Sequence, residues 1–176
     1  MTELLINMTL LTLLVIIAIG IVRVRNLFAV VVLFGAYSFL MASVMVVLDA
    51  VDVAMTEASV GAGVSTVLLL SALYLTKTEE AEPRFSNWPA LIVSFTTALM
   101  LFWGTWELPS FGAADTAVNT HVGAAYLERN MAETDIPNVV TAVLASYRGF
   151  DTLGETTVIF TAGIGVLLLL KRWRRA

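Results

Sequence analysis

Apolar and polar residues follow one another along this chain in long blocks rather than in short alternating runs. Each of the five apolar blocks holds about twenty residues, enough for a helix rising 1.5 Å per residue to cross a hydrocarbon core about 30 Å thick. The pattern therefore predicts an all-α integral membrane protein with five transmembrane helices. Their predicted positions are about residues 4–22, 27–48, 53–75, 88–106 and 153–170.

One long hydrophilic segment, at about residues 107–152, separates the fourth and fifth blocks. Its stretch IPNVVTAVLASY, residues 136–147, is too short to span a membrane, and Pro137 suits the first turn of a helix. We expect one short re-entrant or interfacial helix there, within an otherwise looped segment. The first block is interpreted as a retained span rather than a signal peptide, because Glu3 precedes it and arginines follow it.

Composition supports a membrane protein and excludes several kinds of site. Charged residues make up 14% of the chain and hydrophobic residues 59%, whereas a soluble domain is about 25% charged. The chain has no cysteine, which excludes disulfides, thiolate metal sites, iron–sulfur clusters and a cysteine nucleophile. We therefore expect no cofactor, and any redox chemistry would lie on partner subunits.

The basic residues predict an orientation, because cytoplasmic loops of membrane proteins are enriched in Lys and Arg. If the five blocks alternate across the membrane, Arg129 and Arg148 fall on one side and the remaining basic residues on the other. We therefore expect the N-terminus outside and the C-terminus in the cytoplasm. The C-terminal KRWRR is expected to anchor at anionic lipid headgroups, not to bind nucleic acid. The eight residues assigned to the cytoplasm are Arg23, Arg25, Lys77, Arg84, Lys171, Arg172, Arg174 and Arg175.

Glu57 lies about five residues inside the third apolar block. A carboxylate at the centre of a spanning helix costs roughly 2.5–3.5 kcal/mol on insertion scales, so such residues usually face protein or a water-filled cavity. Gly61 lies four residues later on the same helical face, and small neighbours favour close helix packing. Glu57 is thus a candidate for an ion pathway. The alternative is that Glu57 lies at the outer interface, where it meets water or caps the start of the helix.

A second cluster lies where the hydrophilic segment meets the fifth block, in YRGFDTLGE, residues 147–155. Thr152 and Glu155 have the spacing of a capping box, and Asp151 and Glu155 share a face near a helix N-terminus. Spacing alone favours this structural role. The functional alternative is a charged cluster of Arg148, Asp151 and Glu155 that relays protons or anchors a neighbouring subunit.

His121 is the only histidine and lies in the outer segment. One histidine does not make a metal site by itself. An imidazole that titrates near neutral pH suits a proton entry or exit, but a hydrogen bond within the loop is the preferred interpretation.

Two stretches carry a resemblance to known families: DAVDVAMTEASVGAGVSTVLLLSALYL, residues 49–75, and PNVVTAVLASYRGFDTLGE, residues 137–155. The first resembles the three-helix D-type subunit of membrane-bound hydrogenases (MBH). The second, with HVGAAYLERN at residues 121–130, resembles the two-helix E-type subunit. Both also resemble the C-terminal part of the large subunit of Mrp-type sodium/proton antiporters. The division suggests a D-type unit at residues 1–82 and an E-type unit at residues 83–176, joined near Pro83.

The chain departs from this resemblance at NMAETD, residues 130–135. This stretch is more acidic than the glycine-containing turn of the family.

The resemblance implies a non-catalytic transport subunit in a complex related to the proton-pumping arm of respiratory complex I, in a bacterial or archaeal cell membrane. Glu57 would be an acid of the ion pathway, with Asp52 at its mouth. His121, Arg148, Asp151 and Glu155 match family motif positions without individually assigned steps.

Three functions follow as hypotheses. The chain is expected to contribute to Na⁺/H⁺ translocation in a multi-subunit Mrp-type antiporter, with other membrane subunits and lipids as its partners. The first alternative is the equivalent subunit of an energy-converting redox complex, such as a membrane-bound hydrogenase. The second is a structural scaffold that holds larger subunits together.

Overall fold

A computed structural model of the chain describes residues 2–76, 78–80, 88–110 and 112–173, without the side chains of residues 172 and 173. The chain divides into two compact units, residues 1–89 and 90–176. The described part is helical and contains five helices long and apolar enough to cross a membrane, which confirms the predicted fold class. These are span 1 (Thr2–Arg23), span 2 (Leu27–Val47), span 3 (Val51–Tyr74), span 4 (Trp88–Thr105) and span 5 (Gly149–Trp173).

Span 2 is the central helix of the first unit and packs against both span 1 and span 3. Its side chains Val31, Ser38, Ala42 and Val44 are buried, as are Leu14 of span 1 and Ala54 of span 3. Lipid tails are as apolar as leucine, so helices in a membrane associate through close packing of small residues. Two of the four, Ser38 and Ala42, are small enough to allow such a close approach.

Short connections close the first unit at both ends. The chain before span 2 pairs with the chain after span 3: Leu27 N–H donates to the Thr78 carbonyl (2.8 Å), and Glu80 N–H donates to the Arg25 carbonyl (3.0 Å). At the other end Asp49 takes a left-handed conformation, with φ of 59°, which Asp tolerates better than most residues. The predicted junction near Pro83 lies outside the described residues.

Span 3 is not a uniform α-helix. It is α-helical over Val51–Glu57, π-helical over Ala58–Ser65 and α-helical again over Thr66–Tyr74. The Thr66 hydroxyl donates to the Gly61 carbonyl at 3.4 Å, across five residues. The sequence predicted a continuous helix here. π-Helical segments occur often at functional sites.

In the second unit, the segment expected to be mostly loop contains two helices, Ala117–Thr120 and the outer helix Val122–Thr134. A sharp corner separates them at His121. At Gly123 a Cβ atom would lie 2.5 Å from the Val118 carbonyl oxygen, so the corner needs a residue without a side chain. The outer helix is too polar to form an apolar block, which is why the hydrophobic pattern did not predict it.

A buried asparagine closes the turn that follows the outer helix. Asn130 is 1% exposed, its Nδ2 donates to the Ile136 carbonyl (2.5 Å), and its Oδ1 accepts from the Thr134 hydroxyl (2.9 Å). Asp135 adopts the left-handed conformation, with φ of 56°. The acidic stretch that departs from a glycine-containing turn therefore still makes a left-handed turn, with Asp at the position that requires it.

The short helix runs through Val139–Ala142 and continues as a π-helical segment, Val143–Tyr147. It lies within the predicted range, although Asn138 caps it by accepting from Thr141 N–H (3.0 Å), so Pro137 precedes the first turn. Span 5 begins at Gly149, earlier than predicted. Thr152 therefore lies inside the helix, where its hydroxyl donates to the Leu144 carbonyl (2.8 Å), and the predicted capping box with Glu155 is wrong.

Candidate functional site

Glu57 lies at the junction between the first α-helical part of span 3 and the π-helical segment. Its side chain is half-buried and turns toward Gly61. The Glu57 Oε1 atom lies 2.7 Å from the point that a Cβ at Gly61 would occupy. The structure thus places the carboxylate on the face that Gly61 shares, inside the first unit.

Span 2 faces this carboxylate with Ser38. The Ser38 Oγ lies 2.6 Å from the same point above Gly61, and the residue is only 3% exposed. Further along, the Thr66 hydroxyl lies 2.8 Å from the point that a Cβ at Gly35 would occupy. Two glycines, one from each helix, therefore allow spans 2 and 3 to meet through polar side chains. We call Ser38, Glu57, Gly61 and Thr66 the polar seam.

Sequence reasoning missed Ser38 because a single serine in an apolar block is common in spanning helices. The spacing of Gly35, Ser38 and Ala42 places small residues three and four apart, which is typical of a helix-packing face. That spacing was the available indication that Ser38 faces a neighbouring helix.

Asp52 lies in the first turn of span 3 and is exposed. A carboxylate there is favourably placed near the positive end of the helix dipole. Five residues separate it from Glu57, which corresponds to about 140° around a helix of 3.6 residues per turn. The helix therefore does not bring the two carboxylates to one face.

In the second unit, Arg148 and Asp151 form an ion pair at 2.5 Å, and both side chains are more than half exposed. Within the described residues, neither an ion pair nor a side-chain hydrogen bond joins Glu155 to them. The structure thus brings together two members of the predicted charged cluster. The pair borders an open surface depression of about 580 Å³, and exposed pairs of this kind contribute little to stability.

The imidazole of His121 is exposed. Its backbone carbonyl accepts from Ala125 N–H (3.2 Å) as the outer helix begins. The expected loop hydrogen bond of the side chain does not form among the described residues.

A tyrosine–glutamate contact that the sequence did not reveal joins the outer helix to the short helix. The Tyr147 hydroxyl donates to Glu133 Oε2 (2.6 Å), and the rings of Tyr126 and Tyr147 lie 4.9 Å apart. The hydrogen bond to Glu133, followed by burial and the negative charge of that carboxylate, raises the pKa of Tyr147 above its ordinary value. The two helices are therefore tied by a contact between residues 14 positions apart.

No group of three His, Cys, Asp or Glu side chains suited to holding a metal ion occurs in the described part of the chain.

Comparison with known proteins identifies both halves of the chain. The family of the D-type subunits of MBH matches residues 12–78, and the family of the E-type subunits of MBH matches residues 97–176. These matches and the five apolar helices establish a multi-pass membrane protein.

Two curated relatives are antiporter subunits. The A-type subunit of the Na(+)/H(+) antiporter of Alkalihalophilus pseudofirmus is 30% identical over 148 residues, which cover 80% of this chain and 17% of that protein. The A/B-type subunit of a probable K(+)/H(+) antiporter of Rhizobium meliloti is 42% identical over 53 residues, 30% of this chain and 5% of that protein. The chain thus spans less than a fifth of the length of either relative. Its two matched segments, residues 12–78 and 97–176, carry the D-type and E-type families of MBH subunits in one polypeptide, and the resemblance predicted from its sequence is confirmed.

Proposed function

We propose that this chain is a membrane subunit, or part of one, in a multi-subunit Mrp-type cation/proton antiporter. There it would contribute to Na⁺/H⁺ translocation and to packing between antiporter-like subunits. The observation that carries the proposal is the similarity to the A-type antiporter subunit, because it covers 80% of the chain and extends over both units. The basic residues favour an outside N-terminus and a cytoplasmic C-terminus in a bacterial or archaeal cell membrane.

A role as one of several subunits agrees with how much of the apolar surface of spans 4 and 5 is exposed. None of the described residues in the apolar windows of spans 4 and 5 is buried. Large side chains such as Phe95, Trp103 and Phe160 are more than 60% exposed. In the membrane these surfaces must meet lipid or neighbouring helices. If the chain is a non-catalytic transport subunit between larger subunits, those larger subunits would cover them.

Glu57 is the proposed ion-pathway acid of the chain. It is the ionisable group of the polar seam, and an acid at membrane depth is by default a functional candidate. Asp52 would lie at the mouth of this pathway. His121, Arg148, Asp151 and Glu155 remain further candidates in the second unit, where the exposed Arg148–Asp151 pair could contact a neighbouring subunit.

The proposal is tested by replacing Glu57 in the assembled complex. Glu57→Gln keeps the shape of the side chain and removes its ionisation, so most of the cation-dependent dissipation of a pH gradient in inverted vesicles should be lost. Glu57→Asp should retain part of it. Glu3→Gln is the matched control, because Glu3 is exposed in the first turn of span 1, and its flux should stay unchanged. Subunit content is checked by mass spectrometry, and wild-type flux from a fully assembled Glu57→Gln complex contradicts the ion-pathway role.

The second candidate is the equivalent subunit of an energy-converting redox complex. The descriptions of the two matching families favour it, since both are families of MBH subunits. Purification in mild detergent separates the two functions, because a redox complex would bring nickel–iron and iron–sulfur proteins with the chain. A purely structural scaffold would instead leave flux intact in Glu57→Gln.

A further inference from the structure

Ser38 differs from three other serines of the first unit, Ser43, Ser59 and Ser71, in what its hydroxyl does. Ser43, Ser59 and Ser71 each donate to the carbonyl four residues earlier in their own helix, at 2.7–2.9 Å, a common arrangement for serine within a helix. Among the described residues Ser38 makes no such bond. The residue is only 3% exposed, and its hydroxyl is available to a partner on another helix.

The available acceptor lies on span 3. The Ser38 Oγ and the Glu57 Oε1 lie 2.6 and 2.7 Å, respectively, from one point, the position of a missing Cβ at Gly61. The two oxygens therefore converge above the Gly61 Cα, with no direct hydrogen bond between them among the described residues. A hydroxyl is a donor and an ionised carboxylate is purely an acceptor, so the two groups are chemically complementary. With Ser38 only 3% exposed, bulk water does not compete freely for its hydroxyl.

We propose that Ser38 is a positioning residue for Glu57: its hydroxyl donates a hydrogen bond, through one bridging water molecule, that holds the Glu57 carboxylate above Gly61. The assignment rests on the proposed function, since it concerns the acid placed in the ion pathway. Span 2 contains no charged residue. Ser38 would therefore be the contribution of span 2 to that pathway.

The effect of the Ser38 hydroxyl can be tested separately from the effect of side-chain packing, because alanine has nearly the size of serine. Ala42, four residues later on the same helix, is also buried, so an alanine at position 38 fits this face. Ser38→Ala thus removes the donor and leaves the helix contact in place. Ser43→Ala is the matched control, since it makes the same change on the same helix and removes only the bond to the Phe39 carbonyl.

The test measures how readily the Glu57 carboxyl reacts with a hydrophobic carbodiimide, to which a protonated carboxyl group adds. Membranes containing the full complex are treated at one fixed pH, and labelling of the peptide that holds Glu57 is followed by mass spectrometry. A hydrogen bond donated to the ionised carboxylate favours that form, so its loss in Ser38→Ala should speed labelling about tenfold. Ser43→Ala should label at the wild-type rate, and Glu57→Gln should not label at this position.

Labelling of Ser38→Ala that is no faster than wild type, including no labelling in either, overturns the assignment. So does an equal acceleration in Ser43→Ala, because it would reflect general loosening of span 2. Flux through Glu57→Gln reports separately on the proposed function. If that flux is normal while Ser38→Ala still labels faster, the ion-pathway role fails and the positioning contact stands.

Discussion

Tyr147 and Glu133 show how one hydrogen bond between side chains links two local elements of the second unit. Because the bond requires a protonated hydroxyl, the folded protein holds the pKa of Tyr147 above its ordinary value. The stabilising effect of the hydrogen bond is therefore complete below the pKa of an unfolded tyrosine, about 10. It is lost as the pH rises through the higher pKa of the folded state.

Replacing Glu133 by glutamine should move the pKa of Tyr147 down toward its ordinary value, because the amide still accepts a hydrogen bond but carries no charge. The measurement is the alkaline titration of tyrosinate absorbance, with Tyr147→Phe identifying the contribution of Tyr147 among the four tyrosines. Glu128→Gln, on the same helix and exposed, should leave the titration unchanged. An unaltered titration in Glu133→Gln would contradict the effect of the Glu133 charge on Tyr147.

The position of a single residue was predictable where placing its side chain inside the membrane costs free energy whatever its partner is. The cost of a carboxylate in a spanning helix was enough to select Glu57 and to turn it toward protein. Ser38 and Asn130 were not predictable in the same way, because an uncharged polar side chain costs little to place. Its partner depends on which helix faces meet, and hydrophobic patterning leaves that undetermined.

At the scale of elements, the π-helical part of span 3 contains two glycines with different surroundings. A Cβ at Gly61 would lie within 2.8 Å of Ser38 and Glu57 atoms, whereas a Cβ at Gly63 meets only the Ala58 carbonyl at 3.7 Å, an ordinary contact. The two positions therefore form a matched pair for asking whether the close approach of spans 2 and 3 matters.

Gly61→Ala should destabilise the protein by about 1–3 kcal/mol, as overpacking in a tight interior does. Gly63→Ala should be neutral or stabilising by up to about 1 kcal/mol, since alanine favours helix more than glycine. Thermal unfolding of the purified complex in detergent measures the difference. Equal stability of the two variants would show that the polar seam is not tightly packed.

Elements were predictable where apolar length determines them. The five spans follow from block length, but helix ends depend on particular hydrogen bonds. Span 5 begins at Gly149 because the short helix leads directly into it, and Thr152 bonds back to Leu144 instead of capping. The outer helix is stabilised by its contacts with the short helix, through Tyr126, Tyr147 and Glu133, and those contacts leave little trace in a hydrophobicity pattern.

At the scale of the whole molecule, the unequal distribution of basic residues predicts the orientation of the chain. A reporter fused after Ala176 should lie in the cytoplasm, and one inserted near Asp115 should lie outside. Alkaline phosphatase and green fluorescent protein fusions distinguish the two sides. Both reporters on one side would contradict five alternating spans. The spans themselves were predictable from length alone, whereas the pairing of helix faces was not.

The backbone pairing between residues 25–27 and 78–80 has a consequence for how the protein is made. Leu27 and Arg25 emerge from the ribosome long before their partners Thr78 and Glu80. The clasp that closes the first helical hairpin onto span 3 therefore cannot form until the chain has been translated to about residue 80. Packing of span 3 against the hairpin of spans 1 and 2 is thus secured by this clasp only late in the synthesis of the first unit.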